Sequence, residues 1–230
     1  MKKVVLITGA SSGMGKETAL KLVKEGYIVY GAARRVSKMN DIVELGGYGI
    51  QMDVTKEDQI VSGVKKIIDK QGRIDVLINN AGYAVYGAVE DISLEDARHQ
   101  FEVNLFGLAS LTKQVLPYMR EQKSGKIINI TSMGGKIYTP LGAWYHATKH
   151  ALEGWSDCLR LETKQFGIDV IIIEPGAIAT EFGDVMLEPV LERSTKGPYN
   201  QMTQTVANAA KEAYEKKGQT SPPSVIANLI

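Results

Sequence analysis

Tyr145 and Lys149 stand four residues apart in the run Tyr145-His146-Ala147-Thr148-Lys149. On a helix this spacing puts both side chains on one face, one turn apart. An ammonium beside a phenol favours the phenolate, so the phenol titrates below its reference value of about 10. At ~4 Å and an effective dielectric of ~20 the attraction is roughly 4 kcal/mol before screening, or up to roughly 3 pK units. A phenol tuned in this way can give and take a proton near neutral pH. The same spacing occurs on ordinary solvated helix faces, so the pair gains meaning only from the elements that position it.

Those elements begin at the N-terminus. Lys3 to Thr8 is a β-branched apolar run, the pattern of a strand buried on both faces. It enters Thr8-Gly9-Ala10-Ser11-Ser12-Gly13-Met14-Gly15, and a helical pattern follows from Lys16 to Glu25. A glycine-rich turn between strand and helix lets backbone N–H groups approach a pyrophosphate, aided by the positive end of the helix dipole. Tyr27 to Ala33 forms a second strand, followed by Arg34-Arg35, with no carboxylate until Asp41. An acid at the end of this strand suits the ribose 2′-OH of NAD, whereas an arginine suits the 2′-phosphate of NADP. Arg34 therefore argues for NADP; the alternative is two solvated surface arginines.

Tyr48 to Met52 reads as a third strand, ending at Asp53-Val54-Thr55. Asp53 could receive an adenine amino group or cap the helix that starts near Lys56 and runs to Gln71, and the two roles are compatible. Asp75 to Asn79 is a fourth strand, running into Asn80-Ala81-Gly82. Small residues there let a ligand lie close, and the asparagines can tie neighbouring strand ends together. Residues 93–122 read as helix broken near Asn104, because an asparagine in an apolar helical stretch prefers local backbone bonds. Lys126 to Thr131 is a fifth strand that delivers Ser132, and the helix of Tyr145 and Lys149 runs to about Phe166. Ile168 to Glu174 is a sixth strand, ending in Pro175-Gly176-Ala177-Ile178-Ala179-Thr180. Residues 181–202 lack periodicity and read as a mobile substrate loop or a plain connection. Helical patterns return at 203–217 and 222–230.

Alternating strands and helices predict an α/β fold: a Rossmann-type, doubly wound parallel β-sheet with helices on both faces, in a single domain over 1–230. Ligands bind such sheets outside the carboxyl ends of the strands. Thr8, Arg34, Asp53, Asn80, Ser132 and Pro175 all follow strands, so six separate signals converge on one sheet edge.

Composition narrows the function classes. With 230 residues, 44% hydrophobic and 23% charged, the chain has the make-up of one globular domain with a sizeable core. A net charge of +1 gives no reason to expect nucleic acid or an anionic membrane as partner. The single cysteine, Cys158, excludes an internal disulfide, and it reads as a packed small hydrophobe on the long helix. No run is long enough for a membrane span, and the apolar N-terminus is too short for a signal peptide, so a cytoplasmic location is expected. His99, His146 and His150 have no ligand-like companions, so no metal site is expected. Trp144, Trp155, Tyr83 and Tyr86 could line a pocket or pack, and packing is favoured for Trp155. Lys65-Lys66 and Lys216-Lys217 read as solvated helix faces.

Taken in order and spacing, TGASSGMG, NNAG, Asn104, Ser132, YHATK and PGAIAT closely resemble the short-chain dehydrogenase/reductase family, over about residues 3–182. The TGxxxGxG spacing is that of the family's dehydrogenases rather than its epimerase-like branch. The resemblance implies an NAD(P)-dependent oxidoreductase of the EC 1.1.1.- type. Tyr145 would be the general acid/base. Lys149 would lower its pKa and hold the nicotinamide ribose, Ser132 would bond the substrate oxygen, and Asn104 would hold a water that relays protons. Gly9, Ser11, Ser12, Gly13, Met14 and Gly15 would carry the pyrophosphate and adenosine side. Arg34, with Ser11, would take the 2′-phosphate, and Asp53 and Val54 would border the adenine. Asn80, Ala81 and Gly82 would line the cofactor, and Pro175, Gly176, Ile178 and Thr180 would seat the nicotinamide.

Two departures from the family pattern bear on these expectations. Members with a strong NADP preference often carry a basic residue at the place of Ser12, so NAD use stays open beside NADP. The chain stops where the family usually continues into a seventh strand, one that commonly helps build a homodimer or homotetramer. The expected substrate pocket, Tyr83–Val89, Gly134–Ala143 and 181–202, is mostly apolar, with Ile137, Tyr138, Pro140, Leu141, Phe182, Met186 and Leu187. That composition points to a hydrophobic steroid-, retinoid- or lipid-like ketone or alcohol. The alternatives are a 3-oxoacyl thioester or a non-catalytic NADP-binding sensor or scaffold.

Overall fold

A computed structural model of the chain describes residues 2–180, 189–215 and 220–230. Six parallel strands form one sheet: β1 (Val4–Thr8), β2 (Ile28–Ala33), β3 (Tyr48–Gln51), β4 (Val76–Asn79), β5 (Gly125–Ile130) and β6 (Ile168–Ile173). Their order is β3-β2-β1-β4-β5-β6. The order reverses between β1 and β4, where Leu6 pairs with Leu77, and this is the switch point at which such sheets open a crevice.

The helices are α1 (Gly13–Lys24), α2 (Asn40–Glu44), α3 (Glu57–Gln71), α4 (Leu94–Phe101), α5 (Gly107–Glu121) and α6 (Ala143–Thr163). A short α7 spans 189–194, followed by α8 (Asn200–Glu215) and α9 (Ser224–Leu229). Strand periodicity divides the core into two layers. Val4 and Leu6 of β1 point to the face covered by Ile60, Val64 and Ile67 of α3 and Leu111, Val115 and Met119 of α5. Val5 and Ile7 point to the other face, against Ala19 and Leu22 of α1 and Ile42 of α2. The α/β doubly wound sheet with helices on both faces is thus the architecture of this chain. Among the described residues, no helix is long and apolar enough to cross a membrane.

Several boundaries differ from expectation. Helix α1 starts at Gly13, not Lys16, so the second half of the glycine-rich turn is itself the first helical turn. The predicted break at Asn104 is a π-helical turn, Glu102–Phe106, that joins α4 to α5 without ending the helix. The aperiodic stretch 181–202 contains helix at 189–194 and the start of α8; residues 181–188, with Phe182, Met186 and Leu187, lie outside the described residues, as do Lys216 and Lys217. Cys158 is exposed rather than packed, because the buried face of α6 runs through Leu152, Ser156 and Leu159 instead. Trp155 packs against the core as favoured.

A string of buried polar bonds sets α6 against the sheet. Asn79 Nδ2 donates to Thr112 Oγ1 (3.0 Å) and Asn129 Oδ1 (2.9 Å), and Asn129 Nδ2 donates to Ser156 Oγ at 2.9 Å. Buried polar groups are costly unless paired, so this string fixes one register of β4, β5, α5 and α6. On the same helix, Tyr145 and Lys149 are carried to the sheet's carboxyl edge.

Candidate active site

At that edge lies a cavity of about 590 Å³, whose walls come from the loops after every strand. Its first half is built from backbone. Gly9 and Gly13 hold φ of +68° and +54°, a region glycine enters without a steric penalty. No side chain caps α1, and its Ser12 N-cap is extended, so the first-turn N–H groups remain for an anion. Ser11, Ser12, Gly13 and Met14 all line the cavity here. Gly15 does not: a Cβ there would lie 2.4 Å from Asn80 Nδ2 and 2.5 Å from the Gly9 oxygen. Its job is close packing of helix on turn. Asn80 fastens the same corner, donating through Nδ2 to the Thr8 oxygen at 2.9 Å. The Thr8 hydroxyl in turn accepts the N–H groups of Asn80 (3.1 Å) and Ala81 (3.0 Å), so the asparagine ties strand ends as expected.

Arg34 and Arg35 are exposed and line the cavity at the end of β2. Asp41 is not part of it; Lys16 reaches Asp41 at 2.8 Å and holds its carboxyl below the usual range. Asp53 and Val54 line the cavity beyond β3. Asp53 does not cap α3, whose N-cap is Lys56; it accepts instead from the Thr55 N–H (3.0 Å) and hydroxyl (2.8 Å) in a local turn. Burial pushes the Asp53 carboxyl up, but the Thr55 bonds and the Arg34 and Lys56 charges outweigh it, leaving it below its ordinary value.

The second half holds the titratable pair. Tyr145 is buried, and Lys149 Nζ lies 5.9 Å from its ring centroid. Lys149 Nζ donates to the Ile130 oxygen at 3.0 Å. Burial lowers the Lys149 pKa to about 8, against the opposing pull of Glu153 one turn on. Ser132 lines the cavity, and its hydroxyl accepts from the Gly134 N–H at 3.0 Å. Asn104 is buried and bonded through both side-chain atoms: it accepts from the Tyr83 N–H (3.0 Å) and donates to the Tyr83 oxygen (2.9 Å) and Thr148 Oγ1 (3.1 Å), which leaves one lone pair on its oxygen. The π turn is what lets this side chain reach sideways out of its own helix. Gly82 forms the wall in front of both groups, since a Cβ there would meet Asn104 Oδ1 at 3.2 Å and Lys149 Nζ at 3.8 Å. Ala81, Pro175, Gly176, Ile178 and Thr180 complete the cavity around them. The Ile178 strand segment is itself held by residues near the C-terminus, with Ala179 N–H donating to the Ser221 oxygen at 2.9 Å.

Four residues escaped sequence reasoning as parts of the site. Thr148 links Asn104 to α6 and donates to the Tyr145 oxygen at 2.8 Å, inside the YxxxK segment but with no signal of its own. His99 and Val103 line the cavity from α4 and the π turn. His146, weighed above only as a metal ligand, also lines it. Tyr83 and Tyr86 line the cavity, whereas Trp144 packs edge-on against Phe101 outside it.

The family model described as short chain dehydrogenase matches residues 3–189. The chain belongs to the short-chain dehydrogenase family. It is therefore an oxidoreductase of the short-chain dehydrogenase type. Among curated relatives, a 3-ketodihydrosphingosine reductase of Bacteroides thetaiotaomicron is 44% identical over 182 residues, covering 79% of this chain and 66% of the relative. A solved short-chain dehydrogenase from Streptomyces avermitilis matches with TM-score 0.87 at 36% identity, covering 100% of this chain and 83% of that one. The ligand-free aldohexose dehydrogenase of Thermoplasma acidophilum matches with TM-score 0.81 at 30% identity, covering 99% and 85%.

Proposed function

We propose that the protein is an NADP-dependent reductase or dehydrogenase acting on a hydrophobic ketone or its secondary alcohol, with a long-chain keto lipid as the first candidate. The observation that carries this reading is the division of charge around the cavity. Among the described lining residues the charged ones are Arg34, Arg35 and Asp53, all at the ends of β2 and β3. The other end is walled by Tyr83, Tyr86, Val103, Met133 and Ile137, which suit an apolar substrate. The 3-ketodihydrosphingosine reductase among the relatives acts, by its name, on such a ketone.

A bound nicotinamide would supply hydride chemistry at its C4. The uncapped start of α1 would hold the pyrophosphate, with Gly9, Ser11, Ser12, Gly13 and Met14 around it. Arg34 would pair with the 2′-phosphate; Asp41, held by Lys16, is engaged elsewhere. Asp53 and Val54 would face the adenine, and Asn80, Ala81, Gly82, Pro175, Gly176, Ile178 and Thr180 the remainder. Ser132 would donate to the substrate oxygen. Tyr145 would give that oxygen a proton during reduction and take it back during oxidation. Lys149, as the ammonium, would favour the phenolate so formed, and Asn104 would hold the segment of Tyr83 and a water for proton return.

Consumption of NADPH by purified protein with 3-ketodihydrosphingosine and with an acetoacetyl thioester, beside formation of NADPH from NADP+ with an aldohexose, tests the reading. Turnover of the keto lipid with silence on the sugar supports it. Sugar oxidation with no activity on lipophilic ketones defeats it, and thioester reduction alone would move the substrate to the 3-oxoacyl class.

A further inference from the structure

Between β5 and α6 the chain makes a loop, residues 133–142, that forms one wall of the cavity through Met133, Gly134, Ile137 and Thr139. Lys136 to Pro140 are all exposed; an ion pair from Lys136 to the buried Glu153 of α6, 2.8 Å, anchors the start of this stretch, while Ile137 to Pro140 extend beyond it. A second side chain of α6 enters the loop further along. His146, in the first turn of α6, is buried. Its Nδ1 lies 2.9 Å from the Gly134 oxygen, and its Nε2 lies 3.1 Å from the Thr139 nitrogen and 2.9 Å from Thr139 Oγ1. A backbone N–H can only donate, so Nε2 must accept, and the hydrogen therefore belongs on Nδ1, which donates to Gly134. The ring is thus a neutral imidazole in one tautomer, bridging the start and the end of the loop. Two glycines make the slot: a Cβ at Gly134 would lie 3.0 Å from Nδ1, and one at Gly142 2.7 Å from Nε2. The ring also stands edge-on to Tyr145, with centroids 5.8 Å apart.

We propose that His146 is a positioning residue for the substrate: its ring staples the 133–142 loop to the helix that carries Tyr145, and so sets the distance between the Ile137–Thr139 wall and the reacting phenol. Its role in catalysis rests on the reading of Tyr145 given above, but the staple itself does not. The ring's partners, Gly134, Thr139, Tyr86 and Tyr145, all lie at the Tyr145 end of the cavity, so cofactor affinity should be independent of it. Substrate capture should depend on it, because a loosened wall leaves more freedom to be lost on binding.

Amide hydrogen exchange and steady-state kinetics of His146→Phe and His146→Gln, beside the unaltered protein, test this. Phe fills the slot without hydrogen bonds, whereas a Gln oxygen can reach the place of Nε2 and accept from Thr139. In His146→Phe, exchange across 133–142 should quicken about tenfold, the range expected for loss of one or two net hydrogen bonds. Exchange in β1–α1 and NADPH affinity should stay unchanged. Exchange in His146→Gln should lie close to the unaltered protein. With a ketone that turns over, KM should rise about tenfold in His146→Phe while kcat stays within about threefold. Unchanged exchange in the loop, faster exchange everywhere alike, Gln behaving as Phe, or a fall in kcat at constant KM would each overturn the proposal. If the unaltered protein turns over no ketone, the substrate reading fails, and the exchange data still decide the staple.

Discussion

The two ends of the cavity are held by different means. At the α1 end the wall between β1 and α1 is backbone and small residues of one continuous turn, fixed by positive-φ glycines and by Thr8 and Asn80. At the Tyr145 end the walls are side chains from four separate stretches, held together by Asn104, Thr148 and His146. The first kind of site is encoded locally, where a change acts on geometry too crowded to yield. The second is encoded by long-range bonds, where a change loosens the site in steps.

The largest effect on cofactor binding should follow Gly15→Val, which forces a side chain against Asn80 and the Gly9 oxygen at 2.4 and 2.5 Å. Overpacking of this kind costs about 3 kcal/mol or more, so NADPH affinity by fluorescence titration should fall at least about hundredfold. A tolerated valine would show that the α1 end is not the rigid one. Next, Asn104→Ala leaves the Tyr83 N–H and oxygen and the Thr148 hydroxyl without this partner. Thermal unfolding should reveal a loss of about 2 kcal/mol, with NADPH affinity little changed. Arg34→Ala should weaken NADPH about thirtyfold by loss of a charged hydrogen bond and leave NADH as it was. Equal effects on both dinucleotides would make Arg34 a plain surface residue.

The smallest effect concerns pH. The folded Lys149 pKa, about 8, lies below its ordinary value of 10.5. Between those values the unfolded chain binds a proton that the folded one lacks, so stability contributed by this group rises with pH across that window. Against Lys149→Met as reference, the gain from pH 8 to 9 should be about 1 kcal/mol in denaturant titrations. Reduction that needs the ammonium should decline over the same range. A difference that falls with pH would mean that burial does not govern Lys149.

Legibility in the sequence follows the same division. The parallel sheet and the glycine turn are visible because strand and turn periodicities are local, whereas the strand order is set by the fold; even the break at Asn104 is visible, although its π-helical form is not. Asp53 looked like a helix cap because aspartate often is one, but Thr55 offered a nearer donor pair. His146 and Thr148 gave no signal, because their partners, Gly134, Thr139 and Asn104, are brought to them only by the fold. The place of Gly15 is similar: the motif shows a glycine, but only packing shows that it makes room for Asn80 rather than for a phosphate.

The central claim is that the α1 end holds the dinucleotide while Tyr145 performs the proton transfer. Tyr145→Phe tests it most directly, with NADPH affinity and ketone turnover measured on the same preparation. The account predicts affinity within about twofold and turnover reduced by about a thousandfold, the size of a lost general acid. Turnover equal to that of the unaltered protein would remove Tyr145 from the chemistry, and lost NADPH binding would show that the two ends are not separable.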